Sequence, residues 1–301
     1  MFLKLKQFEK ALLDFENLII NDFIGKGSSG TVYQGEYKKQ NCIIKCFSLD
    51  NYYDEESWIE DIYTELSNYD LIKNSKYCCK LIGYTYDDDN LYLVLKDYNV
   101  KGDLSDLLND NKFWKRYDRF ISENEYYYKY YNNKWLFNLD REIKIKLTKE
   151  LINGIYELHS LDIVHCDLKT NNLLYNLDQN QLVLIDFGAS HYLNKKKEIE
   201  INLNMGTVGY CCPALNYEGI CSKKSDIYSL AVCIVEIWCG CIWEKSQSFR
   251  GTRKELLSSL KILSEKEYNL TIELKKCLNL NPKKRPYIKT VHKNINKLFT
   301  V

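Results

Sequence analysis

The sequence predicts an α+β chain in two parts, a small β-rich first third followed by a larger, mainly helical remainder. Three observations predict it. Short β-branched and aromatic runs, separated by turns containing Gly and Lys, occupy most of residues 18–96. A single helical period interrupts them, with Trp58, Ile62, Leu66 and Tyr69 recurring at helical spacing. After Tyr98 the texture becomes helical nearly to the end.

Taken in order, residues 2–17 set Phe2, Leu5, Leu12, Leu13 and Phe15 among charges and predict a short amphipathic helix capping apolar surface. Strands are expected at 18–24, 31–37 and 42–47, a helix over 55–73, and two further strands at 80–86 and 91–96 around the acidic turn Asp87-Asp88-Asp89-Asn90. Helices follow at 104–108, 141–160, 223–239, 254–260, 268–277 and 288–299. A short hairpin, 173–175 with 182–185, interrupts them. The run at 112–137 is an aromatic-rich insertion including Trp114, Tyr117, Phe120, Tyr126 and Trp135. Acids Asp118, Glu123 and Glu125 lie within it and weaken a nucleic-acid reading, since stacking surfaces for single strands pair aromatics with bases.

With 42 Lys+Arg against 41 Asp+Glu, no overall field draws the chain to nucleic acid or acidic lipid. The 12 cysteines are scattered and show no CxxC, so they are expected to be reduced core residues of a cytoplasmic protein. The amino terminus lacks the apolar core of a signal peptide, and the apolar run 227–243 is broken by Glu236 and too short to span a bilayer. No membrane or nucleic-acid partner is expected. Only three prolines occur, among 25 tyrosines and abundant Asn, Lys and Ile, which fits the codon bias of an AT-rich genome.

Three stretches carry chemistry. Gly25-Lys26-Gly27-Ser28-Ser29-Gly30-Thr31-Val32 joins strand to strand, so the backbone amides of a glycine turn could cover phosphate oxygens closely. A dinucleotide fold would run from such a turn into a helix. Lys45 ends the next strand, over the same pocket, with Glu60 and Glu65 on the following helix as its candidate partners. In His165-Cys166-Asp167-Leu168-Lys169-Thr170-Asn171-Asn172, followed by Asp186-Phe187-Gly188, Asp167 can accept the proton of an attacking hydroxyl and Lys169 can neutralise moving phosphoryl charge. Asn172 and Asp186 offer hard oxygen ligands to a divalent metal.

In that order, these stretches resemble the glycine loop, phosphate lysine, catalytic loop and metal-binding loop of the eukaryotic-type protein kinases. The likeness continues through Gly206–Ala214, Ser225–Leu230 and Asn281–Pro286, and runs from about Ile20 to Leu298. It implies a single two-lobed kinase domain over 1–301, with a five-stranded antiparallel lobe at about 18–97 and a mainly helical lobe at 98–301. The family's functional residues carry over as Ile24, Gly25, Gly27, Gly30, Val32, Lys45 and Glu65 around ATP, Asp167 as base, Lys169 on the transferred charge, and Asn172 and Asp186 on Mg2+. His165 and Phe187 would be packed structural residues, and Asp226 would brace the catalytic loop. Lys169 and Thr207 resemble the serine/threonine branch, and the implied partner is a protein substrate.

Three positions depart from the family's pattern. Cys166 replaces the arginine that in many kinases grips an activation-loop phosphate, and residues 191–205 contain no Ser or Thr and only Tyr192 as a hydroxyl. Activity without activation-loop phosphorylation is therefore expected. Ala214 replaces the usual glutamate partner of Arg285, with Glu218, another acid or water as the substitute. Ile43 stands where alanine usually lies beside adenine, implying a tighter pocket. None of these residues is a base, metal ligand or phosphate lysine, so a catalytic kinase is preferred over a pseudokinase acting as a scaffold.

Overall fold

The computed structural model describes residues 4–27, 30–100, 102–109, 129–131, 134–136, 139–176, 179–201, 206–240 and 249–300. They fall into two compact units, Met1–Val100 with Asp186–Ser190, and Lys101–Ile185 with His191–Val301. The first is built on a five-stranded antiparallel sheet and the second is mainly helical, as the residue texture predicts.

In the first unit β1 (Leu18–Lys26), β2 (Thr31–Tyr37), β3 (Gln40–Ser48), β4 (Leu81–Tyr86) and β5 (Asn90–Lys96) lie in the order β1-β2-β3-β5-β4. β5 is central and buried from Leu91 to Leu95, whereas the edge strand β1 is mostly exposed. Side chains alternating across the pleat collect Tyr37, Cys42, Ile44, Tyr92 and Val94 into a core on one face. Helix α1 (Glu55–Ile72) begins at Asp54, whose carboxylate accepts the Ser57 N–H at 2.7 Å, an N-cap that satisfies one otherwise orphaned donor. Its apolar stripe is fully buried, and Trp58 donates to the Phe47 carbonyl at 3.1 Å, tying the helix to β3.

The expected amino-terminal α-helix is instead a 3-10 helix over Leu5–Ala11, with a second 3-10 turn at Phe15–Asn17. Seven residues with no side-chain cap are too few to sustain an isolated α-helix. The segment is held by docking. Leu5 is buried, Phe8 meets Tyr63 with ring centroids 5.9 Å apart, Lys4 pairs with Glu60, and Leu12 bridges to Tyr84.

The second unit is organised around a buried helix. Its helices are α2 (Leu104–Asn109), α3 (Arg141–Ser160), α4 (Pro213–Glu218), α5 (Lys223–Cys239), α6 (Phe249–Lys266), α7 (Tyr268–Cys277) and α8 (Ile288–Leu298). In α5 every residue from Ser225 to Trp238 is buried, as expected of a central helix apolar on all sides. α3 packs with Leu147, Leu151, Ile155 and Leu158 inward. α6 runs well beyond the expected 254–260 at both ends, and Thr252 within it is buried. The hairpin Leu173–Asn176 with Gln181–Leu184 forms where expected. Two small pairings carry no sequence signal, Ile163–Val164 with His191–Tyr192 and Glu198–Glu200 with Ile220–Ser222. Of the 112–137 insertion, only the antiparallel pair Lys129–Tyr131 and Lys134–Leu136 is described, and the rest lies outside the described residues.

Two expectations about side chains meet the structure here. The cysteines are not all reduced, because Cys166 is disulfide-bonded to Cys221 with a Cα–Cα separation of 6.1 Å. The partners lie 55 residues apart and no spacing rule shows them. Of the nine free cysteines described, seven are buried, which matches a core role. Arg285, buried at 2% exposure, is not paired with Glu218, which is exposed. Its guanidinium donates to the carbonyls of Asn279 (2.7 Å), Lys224 (2.7 Å) and Leu280 (3.2 Å) and lies 5.1 Å from the Tyr228 ring centre. Among the described residues no helix is long and apolar enough to cross a membrane.

Lys144 adds a pH dependence. It is buried one turn before Leu147, and its ammonium donates to the Trp238 carbonyl at 3.0 Å, in the last turn of α5, where carbonyls lack helical partners. Burial pulls its pKa down from 10.5 to about 8. Between those values the unfolded chain holds a proton that the folded protein has released, so stability rises with pH across that window. Relative to Lys144→Met, the wild type is expected to gain up to about 3 kcal/mol between pH 8 and 10.5. Denaturant melts of both proteins at pH 7.5 and 10 check this.

Candidate active site

In the first unit, the glycine loop joins β1 to β2, closed by the Gly27 N–H donating to the Gly30 carbonyl at 2.9 Å. A Cβ on Gly30 would lie 2.7 Å from the Cys46 carbonyl oxygen, so the close approach of β3 demands glycine there. Gly25 and Gly27 differ. A Cβ on Gly25 would meet nothing within 4 Å, and one on Gly27 only an ordinary contact at 3.8 Å. Neither has a left-handed φ, so the protein's own fold does not require glycine at these two positions. Space held open over backbone amides is what close approach by a phosphate needs. Ile24 is 54% exposed beside them, and Val32 is half-buried in register with Lys45.

β3 presents Lys45, buried at 6% exposure, to the carboxylate of Glu65 on α1. The ammonium donates to Oε1 at 2.9 Å and Oε2 at 2.8 Å, and to Asp186 Oδ1 at 2.9 Å. Burial alone would lower the lysine's pKa, but the Asp186 and Glu65 charges outweigh it and raise the pKa, so the ammonium stays protonated. Burial raises the Glu65 carboxyl, against the opposing pull of Lys45. Glu65 is thus the partner, as expected, and Glu60 is taken by Lys4. α1 also fixes the backbone around Asp186. Asn68 donates to the carbonyls of Phe187 (3.1 Å) and Ser190 (2.8 Å), and Tyr69 meets Phe187 edge-on with ring centres 5.5 Å apart. Asp186 itself has φ 59°, a strained region for a residue other than glycine and one that recurs at functional sites.

In the second unit Asp167, Lys169 and Thr207 form a closed triangle. Lys169 donates to Asp167 Oδ2 at 2.8 Å and to Thr207 Oγ1 at 3.0 Å, and Thr207 donates to Asp167 Oδ1 at 2.8 Å. The Asn172 amide nitrogen donates to the Asp167 carbonyl at 2.8 Å and to its Oδ2 at 3.3 Å, which turns the amide oxygen away as an available hard ligand. The loop rests on Asp226 of α5. Its Oδ2 accepts the His165 N–H and His159 Nε2, each at 2.9 Å, and Oδ1 accepts the Cys166 N–H at 3.1 Å. His165 is fully buried, in keeping with a packed role.

Several residues of this unit escape a reading of the sequence. His159 is one. Another group is Glu236, fully buried, whose Oε2 accepts Thr170 Oγ1 at 2.9 Å and Tyr210 OH at 2.5 Å. Burial and the Glu236 charge push the Tyr210 hydroxyl well up, so it remains a donor and ties the catalytic loop to the segment near Thr207. Glu236 interrupting an apolar helix was the available signal, because an acid on a fully buried helix needs donors.

A five-stranded antiparallel sheet with a lysine–glutamate pair, and a helical unit with an aspartate–lysine loop, define a class. The chain matches the model of the protein kinase domain over residues 18–295 and belongs to that family. It is similar to a probable serine/threonine-protein kinase of Dictyostelium discoideum, 27% identical over 98% of this chain and 64% of the relative. It is also similar to a probable serine/threonine-protein kinase of Plasmodium falciparum, 29% identical over 76% of this chain and 39% of the relative. The stress-activated protein kinase alpha of Dictyostelium discoideum is 30% identical over 78% of this chain and 32% of its own length. The chain therefore spans less than two thirds of each of these relatives.

Proposed function

We propose that the chain is a serine/threonine protein kinase that transfers the γ-phosphoryl group of ATP to a protein hydroxyl, with residues 1–301 as one kinase domain divided at about 97/98. The observation that carries this reading is the Asp167–Lys169–Thr207 triangle. It sets a carboxylate and a cation side by side, one for the attacking hydroxyl and one for the phosphoryl charge. Asp167 orients the substrate hydroxyl and takes its proton as the new O–P bond forms and the bond to the ADP oxygen breaks. Lys169 meets the charge on the phosphoryl oxygens in transit. Lys45, kept protonated and aimed by Glu65, holds the α- and β-phosphates beneath the glycine loop, with Ile24 and Val32 against the nucleotide base. Asn172 and Asp186 are the oxygen ligands we assign to Mg2+, which when bound neutralises charge on the phosphates.

The test is transfer of labelled phosphate from ATP to a generic protein acceptor by wild type and by Asp167→Asn. Wild-type activity reduced by about 10²-fold or more in the variant is expected. Equal activity in both sinks the mechanism, and an inactive wild type that ATP still stabilises against heat would favour the scaffold reading. Phosphatase treatment should leave the wild-type rate unchanged, because Cys166 offers no grip for an activation-loop phosphate. A second expectation concerns the open glycines. Gly25→Ala should fold normally, since its Cβ meets nothing, yet raise KM for ATP by about tenfold or more by displacing the phosphates. Steady-state kinetics beside a thermal melt separates the two effects.

A further inference from the structure

We propose that the Cys166–Cys221 disulfide is a reversible redox latch, a thiol–disulfide modification site that holds the paired strands Glu198–Glu200 and Ile220–Ser222 against the catalytic loop in the active form. The proposal rests on the kinase reading above. Its support is what the bond connects. Cys166 immediately precedes Asp167, and its own N–H is already spent on Asp226. Cys221 lies in the strand Ile220–Ser222, which pairs with Glu198–Glu200 through Ile199 opposite Cys221. Ile201 extends the pairing by donating to the Gly219 carbonyl at 2.8 Å. Among the described residues, the strand pairing of the segment beyond Tyr192 therefore runs through the residue whose sulfur is bonded to the catalytic loop. The start of the same segment is pinned close by, His191 pairing with Val164, two residues before Cys166.

Closed, the bond joins the strand bearing the segment covalently to the residue beside Asp167. Open, loop and segment keep their hydrogen bonds, among them Asp167 and Lys169 with Thr207, Thr170 with Tyr210, and the pairing of Val164 with His191, but no covalent tie.

The bond is buried, with Cys166 at 2% and Cys221 at 0% exposure, so reagent reaches it only when its cover lifts. The strand that bears Cys221 is paired by a ladder of only three residues, whose Glu198 and Glu200 are exposed. Short exposed ladders open at low free-energy cost. Reduction by a dithiol converts the disulfide into two thiols and leaves the dithiol as its own disulfide. Closure by hydrogen peroxide removes two electrons and two protons from the thiols and gives two waters. Other cysteines complicate the chemistry little. Burial pushes Cys79, Cys211 and Cys277 up to about 12 and Cys42, Cys46 and Cys239 up to about 11, so they are poor nucleophiles near neutrality.

The experiment compares full-length protein oxidised by hydrogen peroxide with protein reduced by dithiothreitol, alongside Cys221→Ser and Cys166→Ser. Mass spectrometry of non-reduced digests should show the Cys166–Cys221 linked peptide in the oxidised wild type. Reduction should lower phosphoryl transfer roughly 5- to 100-fold. It should also speed hydrogen exchange at 198–201 and 220–222, while leaving the thermal shift produced by ATP unchanged. Each variant should match the reduced wild type and ignore both reagents. Absence of the linked peptide after oxidation overturns the latch. So does a static staple, in which reduction lowers Tm but changes neither exchange nor transfer. If the wild type transfers no phosphate in either state, the kinase reading fails, and the exchange comparison alone still decides the latch.

Discussion

Replacing Lys45 by Met is expected to reduce phosphoryl transfer by about 10²- to 10³-fold and to destabilise the fold at the same time, by roughly 3–5 kcal/mol. The two losses have one source. Lys45 is charge partner to both Glu65 and Asp186, and Glu65 is fully buried, so removing the ammonium strands a carboxylate away from water. Glu65 then folds only as the neutral acid, a state toward which burial already pushes it. A double variant, Lys45→Met with Glu65→Leu, separates function from stability. It replaces a buried ion pair by apolar groups of similar size and should recover most of the lost stability with none of the activity. Urea melts and transfer rates of the wild type and both variants check this. If the double variant is no more stable than Lys45→Met, the stranded carboxylate was not the cause.

Arg285→Ala should cost about 3–5 kcal/mol, whereas Glu218→Ala should stay within about 0.5 kcal/mol. Arg285 is held by three backbone carbonyls and a tyrosine face, with no carboxylate among these partners. Hydrogen bonds from a charged donor are worth about 1.5–3 kcal/mol each, and losing them also leaves buried carbonyls unsatisfied. Arg285→Lys should recover little, because a single ammonium cannot reproduce the spread of the guanidinium fork. Thermal or denaturant melts decide it. A strong effect of Glu218→Ala would restore the ion-pair explanation.

How much of this was legible in the sequence depended on whether a local period recorded it. The Lys45–Glu65 pair was readable only through the kinase family's spacing; in the structure Glu65 shares the face of α1 that buries Ile62, Leu66 and Tyr69, while Glu60 is exposed. The strands could be placed to within a few residues, because turn chemistry separates runs of β-formers. What escaped notice is held by side chains meeting across tens of residues. The Cys166–Cys221 bond, the His159–Asp226 contact and the Thr170–Tyr210–Glu236 network leave no trace in spacing. Arg285 shows the same limit, since a search for an acidic partner cannot find backbone carbonyls.

Helix α1 has a mechanical consequence. One rigid cylinder carries Glu65, which aims the Lys45 ammonium, and also Asn68 and Tyr69, which hold the backbone at Phe187 and Ser190. Its outer side is gripped by Phe8 through Tyr63 and by Lys4 through Glu60 of the helix. A helix cannot rotate at residue 65 and stay still at residue 68, so the lysine contact and the placement of Asp186 behave as one degree of freedom. The amino-terminal segment acts on that same coordinate, as a weight on the far arm of a lever.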